Sequence, residues 1–187
     1  MKIIILEGTA TSGKTTLANL LTAKLRRAGR KVFLVDENKT LMPVLKTPDA
    51  KTHLDHLNKI VGQFPQEDCD VIIADRFHLT SAAICDMSAA EFENIEKQLL
   101  KWDPIIVFLK VDEDELGNRI FKSMNHRGPS WRAHVSSKGG EKEIRAWYLE
   151  TQEKLSAWLK KSKIKHITID TTNPDYEKIA EKLLNSI

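Results

Sequence analysis

The stretch Gly8-Thr9-Ala10-Thr11-Ser12-Gly13-Lys14-Thr15 constrains this chain more than any other part of it. It fits G-x-x-x-x-G-K-[ST]. The apolar run Lys2–Glu7 precedes it and an amphipathic helical pattern, Gly13–Ala28, follows, which is the context that gives the spacing its meaning. A strand that turns through glycines straight into a helix leaves backbone N–H groups converging on one point. The positive end of the helix is aimed at the same point. Such a loop holds an anion. The spacing puts Lys14 between the β- and γ-phosphates of a nucleotide and the Thr15 hydroxyl on Mg²⁺. Gly8, Thr9, Ala10, Thr11, Ser12, Gly13, Lys14, Thr15 and Thr16 are therefore the expected ATP-phosphate contacts.

The rest of the chain agrees with a strand–loop–helix start. Lys31–Asp36, Asp70–Asp75 and Pro104–Val111 are further apolar runs, and Ile164–Asp170 is a fifth. They are rich in Ile and Val and lack clean alternation, as strands covered on both faces do. Helical patterns lie between them. Gly13–Ala28 stops at Gly29, a natural helix-ending residue, and Ser88 with Glu91 spells a capping box for a helix to about Lys101. Asp112 is placed to cap the helix that carries Arg119, and Asn173-Pro174 to open the last helix. Alternating strands and helices predict an α/β chain: a parallel sheet with helices on both faces.

At 187 residues, one domain spanning 1–187 is expected, large enough to bury a core without staples. Two cysteines, Cys69 and Cys85, make neither a disulfide framework nor a zinc site. No apolar run is long enough to span a bilayer or to serve as a signal segment, so a cytoplasmic protein is expected. A net charge of +3 gives no reason to expect nucleic acid or a membrane as partner.

One segment breaks the pattern. Asn125–Gly140 holds Gly128-Pro129 and Ser136-Ser137-Lys138-Gly139-Gly140, shows no helical period and carries Arg127, Arg132 and Lys138. It reads as a mobile basic loop between two helices, a lid at about 122–141. Such a lid would close over phosphates, exclude water and bring arginines to the transition state. Arg119, Arg127 and Arg132 are the candidates to reach the γ-phosphate.

Several classes that share the phosphate loop are excluded. A guanine-reading N-K-x-D is missing: Asn38-Lys39-Thr40-Leu41 and Asn58-Lys59-Ile60-Val61 both lack the Asp. An ABC-type ATPase needs a signature loop and more length. No stripe of Arg and Lys with interleaved aromatics suits a polynucleotide. A short chain with one phosphate cradle and one basic lid points to a small-molecule kinase.

The sequence resembles the thymidylate kinase and deoxynucleoside kinase branch of the P-loop kinases. Leu6-Glu7-Gly8 leads into the loop, Asp75-Arg76-Phe77 resembles a D-R-[YF] motif, and Pro104–Val111 with Arg119 resembles the fourth strand and the helix to the lid. Glu143–Glu150 resembles the helix after it. The resemblance implies a three-layer fold with a five-stranded parallel sheet in the order 2-3-1-4-5, a flexible lid, and a possible homodimer. It implies Asp75 beside Mg²⁺ and Arg76 on the acceptor's 5′ end or its phosphate.

The acceptor stays open. Ala10 stands where thymidylate kinases carry an Asp, Asp36-Glu37-Asn38 replaces their R-E-P-like segment, and Ile84-Cys85 replaces a Tyr-Gln pair. A nucleoside 5′-monophosphate brings an ionised oxygen and needs no base. A nucleoside brings a neutral hydroxyl that gains from a carboxylate, and Glu37 is the candidate base. A monophosphate is the first expectation, a nucleoside the second, and a non-catalytic nucleotide sensor the third. His53 and His56 read as a helix-surface pair, and Trp102, Trp147 and Trp158 as packing residues. Trp131, inside the lid, is a candidate to cover adenine or acceptor.

Overall fold

The computed structural model describes residues 1–85 and 87–185. Five parallel strands form one sheet in the order β2-β3-β1-β4-β5. They are β1 (Lys2–Glu7), β2 (Val32–Val35), β3 (Val71–Asp75), β4 (Pro104–Lys110) and β5 (Lys165–Asp170). This is the fold and strand order that the sequence resemblance implies. In β1, Ile3 and Ile5 point to one face and Ile4 and Leu6 to the other, as the two-residue period of a strand requires. Both faces are buried, which is why the central strands show no polar alternation.

On one face Ile4, Leu6, Val71, Ile73, Val107 and Leu109 pack against α1 (Lys14–Arg27) and α9 (Tyr176–Leu184). The other face carries α3 (Ala50–Gln63), α4 (His78–Cys85), α5 (Ala89–Leu99) and the later half of α8 (Glu141–Lys161). Each fully buried Leu, Ile or Phe contributes on the order of 2 kcal/mol. A third cluster, beyond the strand ends, joins Val111 and Leu116 and Ile120 of α6 (Glu113–Met124) to Val135, Ile144 and Tyr148. Gln152 fixes this end of α8 to the sheet: its amide accepts from Val111 N–H at 3.0 Å and donates to Val111 C=O at 2.9 Å.

The edge strands are shorter and more exposed than expected. β2 stops at Val35, because the Asp36 side chain turns back to accept from Lys39 N–H and opens the short helix α2 (Glu37–Thr40). β5 alternates between exposed and half-buried residues, as an edge does. The capping box at Ser88 and Glu91 is formed, and Asp112 caps α6.

Three expectations are corrected. Asn125–Gly140 is not free of helix: it holds α7, Pro129–Ser136, with Val135 fully buried and Trp131 half-buried. Two turns are too short for a periodic signal, and only one apolar pair, Trp131 and Val135, sits at helical spacing. The last helix is capped by Asp175, which accepts from Lys178 N–H, rather than by Asn173. His53 is fully buried, not on a helix surface, and its Nε2 donates to Thr47 C=O. His56 Nε2 donates to Lys39 C=O, so the two rings pin the segment between α2 and α3.

Candidate active site

The parallel register brings the C-terminal ends of β1, β3 and β4 together, with Leu6 opposite Asp75 and Val107. Ligands of open α/β sheets bind outside that edge. The loop after β1 turns with positive φ at Gly8 (146°), Thr11 (65°) and Gly13 (92°). At Gly8 a Cβ would stand 2.5 Å from Leu109 C=O, so the loop lies flat against β4. At Gly13 it would stand 1.7 Å from the Tyr176 hydroxyl, which therefore closes over the start of α1.

Lys14 folds back into this loop. Its ammonium donates to Thr9 C=O at 2.6 Å and to Ser12 Oγ at 3.3 Å, and the side chain is buried. Burial, and next the Arg76 guanidinium, push its pKa down to about 7, against the pull of Asp75, Glu37 and Glu7. A buried ammonium with so few partners is a site prepared for an anion. The Thr9 and Thr11 hydroxyls, buried and without partners among the described residues, lie on the same loop.

Thr15 Oγ1 donates to Asp75 Oδ2 at 2.6 Å. The other oxygen, Asp75 Oδ1, is buried and has no hydrogen-bond partner among the described residues. A hydroxyl oxygen beside a carboxylate with an unused buried oxygen is a donor set suited to Mg²⁺. The residues expected to hold the cation are thus brought together and fit it.

Arg76 follows with φ 62°, a left-handed corner that costs an ordinary residue on the order of 1–2 kcal/mol. Its Nη1 donates to Gly8 C=O at 3.1 Å. Its Nε lies 2.8 Å from Glu37 Oε1, although the N–H is not aligned for a hydrogen bond, so the contact is ionic. Asp75, Arg76 and Glu37 therefore meet beside the phosphate loop.

A cavity of about 470 Å³ opens over these groups. Lys14, Arg76, Arg119, Lys122 and Arg127 line it, and Glu37 is the one carboxylate among its described lining residues. Arg119 is held by three backbone carbonyls: Thr171 and Thr172 at 2.6 Å and Thr11 at 3.4 Å. Arg127 lies 4.5 Å over the Trp131 ring, whose indole N–H donates to Ser123 Oγ at 2.9 Å. Arg132 is exposed on α7 and lies outside the lining of this cavity. A second cavity, about 350 Å³, adjoins on the α1 side and shares Thr15 and Glu37.

Sequence reasoning missed three groups. Tyr176 and Pro174 form a wall of the larger cavity. The available signal was position, since the loop after β5 leaves the same sheet edge. Tyr148 is buried on α8 with its hydroxyl unpartnered among the described residues, and burial pushes its pKa up to about 12, with Arg76 and Arg127 pulling the other way. Nothing local in the sequence marks it. Of the three expected packing tryptophans, Trp102 packs edge-on to Phe64 and Trp158 on Phe92, but Trp147 is corrected: it is exposed on α8, edge-on to Tyr148 with Lys138 over its ring.

No family model and no curated protein matches the sequence. Solved structures do. The YorR protein of Bacillus subtilis, described in complex with phosphorylated GDP, superposes with a TM-score of 0.72 at 18% identity, covering 98% of this chain and 94% of that one. A thymidylate kinase from Ehrlichia chaffeensis gives 0.59 at 16% identity, covering 99% and 97%. At these identities the likeness is one of fold, and the fold is that of the P-loop nucleotide kinases.

Proposed function

We propose that this chain is an ATP- and Mg²⁺-dependent phosphotransferase acting on a nucleotide-like acceptor, a (deoxy)nucleoside 5′-monophosphate. The observation that carries the reading is the charge of the larger cavity: five cationic positions, Lys14, Arg76, Arg119, Lys122 and Arg127, against the single carboxylate Glu37. A nucleoside triphosphate with its metal leaves much of that charge unmatched, and an acceptor phosphate matches it.

The chain's own residues divide the work. The loop Gly8–Thr16 cradles the phosphates of ATP, and Lys14 leaves Thr9 C=O for the β- and γ-oxygens. Arg119 stands where the purine end of ATP emerges, against Pro174 and Tyr176. Thr15 and Asp75 would hold Mg²⁺, which neutralises charge on the transferring group. Arg76 presents its remaining N–H groups to the acceptor phosphate. An acceptor oxygen attacks the γ-phosphorus, the bond from that phosphorus to the β-bridging oxygen breaks, and ADP leaves with the electron pair. Arg127 swings from Trp131 to the γ-phosphoryl oxygens as the lid at about 122–141 closes, while Arg132 stays exposed on α7, outside the cavity. The chain, 1–187, is read as one domain in the cytoplasm, with no nucleic-acid or membrane partner expected and a homodimer as one possible assembly. No helix among the described residues is long and apolar enough to cross a membrane.

Contact between Glu37 and Arg76 favours a second reading. A carboxylate at that point can take the proton of a nucleoside 5′-hydroxyl. A coupled ADP-release screen over nucleosides and their 5′-monophosphates separates the two. Activity confined to monophosphates supports the first, and activity confined to nucleosides replaces it with the second. ATP binding without ADP release from either set leaves a nucleotide sensor.

A further inference from the structure

Glu7, the last residue of β1, has no part in the transfer described above. Its side chain is fully buried. Oε1 accepts the backbone N–H groups of Phe77 at 2.9 Å, Leu79 at 3.1 Å and Thr80 at 3.3 Å, and Oε2 accepts the Thr80 hydroxyl at 2.5 Å. These donors are the unsatisfied start of α4, and an ionised carboxylate is the side chain with enough lone pairs to take all four. The backbone of the same strand holds the preceding residue, because Arg76 N–H donates to Leu6 C=O at 3.0 Å. Residue 76 is thus clamped from both sides of a left-handed corner. Because of that corner, two adjacent side chains serve different partners: Asp75 reaches Thr15, and Arg76 reaches Gly8 C=O and Glu37.

We propose that Glu7 is a positioning residue for phosphoryl transfer: by gathering the first amides of α4 onto its carboxylate it holds the Arg76 corner, and so aims Asp75 at Thr15 and Arg76 at the acceptor. The catalytic half of this inference rests on the phosphotransferase reading, and the geometric half does not. A glutamine offers the three N–H groups a neutral amide oxygen in place of a carboxylate and puts an NH₂ where Oε2 takes the Thr80 hydroxyl, so Glu7→Gln keeps the shape, weakens the clamp and forces that hydroxyl to turn from donor to acceptor. Thr80→Val removes the hydroxyl bond to Oε2 and leaves the three backbone N–H groups on Oε1 in place.

Amide hydrogen exchange reads the geometry without any ligand. In Glu7→Gln, exchange at Phe77, Leu79 and Thr80 is expected to quicken by about tenfold or more, with Arg76 following and β4 unchanged. Unchanged exchange at Arg76 overturns the inference. Kinetics read the consequence. Glu7→Gln is expected to lower kcat about tenfold with KM for ATP within about threefold, and to cost clearly less, about threefold, when Arg76 is already alanine, the remainder acting through Asp75. A full further loss in the Arg76→Ala background means that Glu7 acts elsewhere, and also overturns it. Should Glu7→Gln not fold, Thr80→Val carries both measurements with smaller shifts, and Thr80→Ser restores native values. If the native protein transfers no phosphate to any acceptor, the phosphotransferase reading fails, and the exchange rates alone decide the role of Glu7.

Discussion

Glu37 Oε1 stands 2.8 Å from Arg76 Nε, so the one carboxylate among the described lining residues of the larger cavity is paired with a guanidinium beside the phosphate loop. The pair is half open to solvent through Glu37 and closed through Arg76. Its worth as a stabilising ion pair is small for that reason, at most about 1 kcal/mol. Its worth as a competitor is larger. Any anion that approaches Arg76 meets Glu37 first.

Glu37→Gln separates the two acceptor classes in one variant. With a monophosphate acceptor, loss of the carboxylate frees Arg76, and KM for the acceptor is expected to fall about threefold to tenfold with kcat little changed. With a nucleoside acceptor the same variant loses its proton acceptor, and kcat is expected to fall by at least about a hundredfold. Steady-state ADP release with each acceptor gives the answer.

If Lys14 holds the nucleotide as proposed, nucleotide binding is expected to take up a proton. Its pKa is pushed down to about 7, by burial first and the Arg76 charge second, and a bound triphosphate restores the charged form. At pH 8 to 9 the uptake is expected to approach about one proton per site, read by titration calorimetry in two buffers of different ionisation enthalpy. Lys14→Met abolishes it. The unfolded chain keeps this lysine near 10.5, so between about 7 and 10.5 it binds the proton that the folded chain has released. Relative to Lys14→Met, the nucleotide-free native protein therefore gains stability as pH rises through that window, and carries its full penalty below pH 7. In turnover, Lys14→Ala is expected to lose at least about a hundredfold.

The three lid-side arginines are expected to behave differently. Arg127→Ala lowers kcat by about tenfold or more with a smaller rise in KM, because its contact strengthens in the transition state. Arg119→Ala raises KM for ATP and lowers the melting temperature, since it removes the guanidinium that ties Thr171 and Thr172 to the phosphate loop. Arg132, exposed and outside the cavity, is expected to change either constant by less than about twofold when replaced by Ala. A kcat loss at Arg132 equal to that at Arg127 would mean that α7 turns over as the lid closes.

Gly13→Ala tests the packing of α9 on the loop. The new methyl meets the Tyr176 hydroxyl and the backbone keeps φ 92°, so a stability loss of more than about 1 kcal/mol is expected. Adding Tyr176→Ala removes the clash and leaves the strained backbone, so thermal melts are expected to show partial recovery.

What the sequence disclosed follows the range of each signal. The phosphate loop is contiguous and its chemistry is fixed by spacing, so Lys14 and Thr15 stand where the pattern puts them. The sheet was legible because β1, β3 and β4 are buried on both faces and uniformly apolar. Glu37 and Arg76 were both singled out, but their contact depends on how β2 ends, which the Asp36 cap decides. α7 is too short to show a period. Tyr176 reaches the larger cavity from α9 and Tyr148 lies buried in the cluster beneath the lid, on helices whose own patterns describe only how they pack, so no local feature of the chain announces them.

The cations of this site rest on the protein's own carbonyls: Lys14 on Thr9, Arg76 on Gly8, and Arg119 on Thr171 and Thr172. In the proposed reaction these oxygens are the acceptors that phosphate would replace. A nucleotide that binds trades one set of acceptors for another, so the net gain is the difference between them rather than the full strength of each new bond. The same trade runs backward when product leaves, because each cation has an acceptor waiting. If the proposed transfer is what this site does, such a construction would hold its shape when empty and release what it has made, as repeated turnover asks.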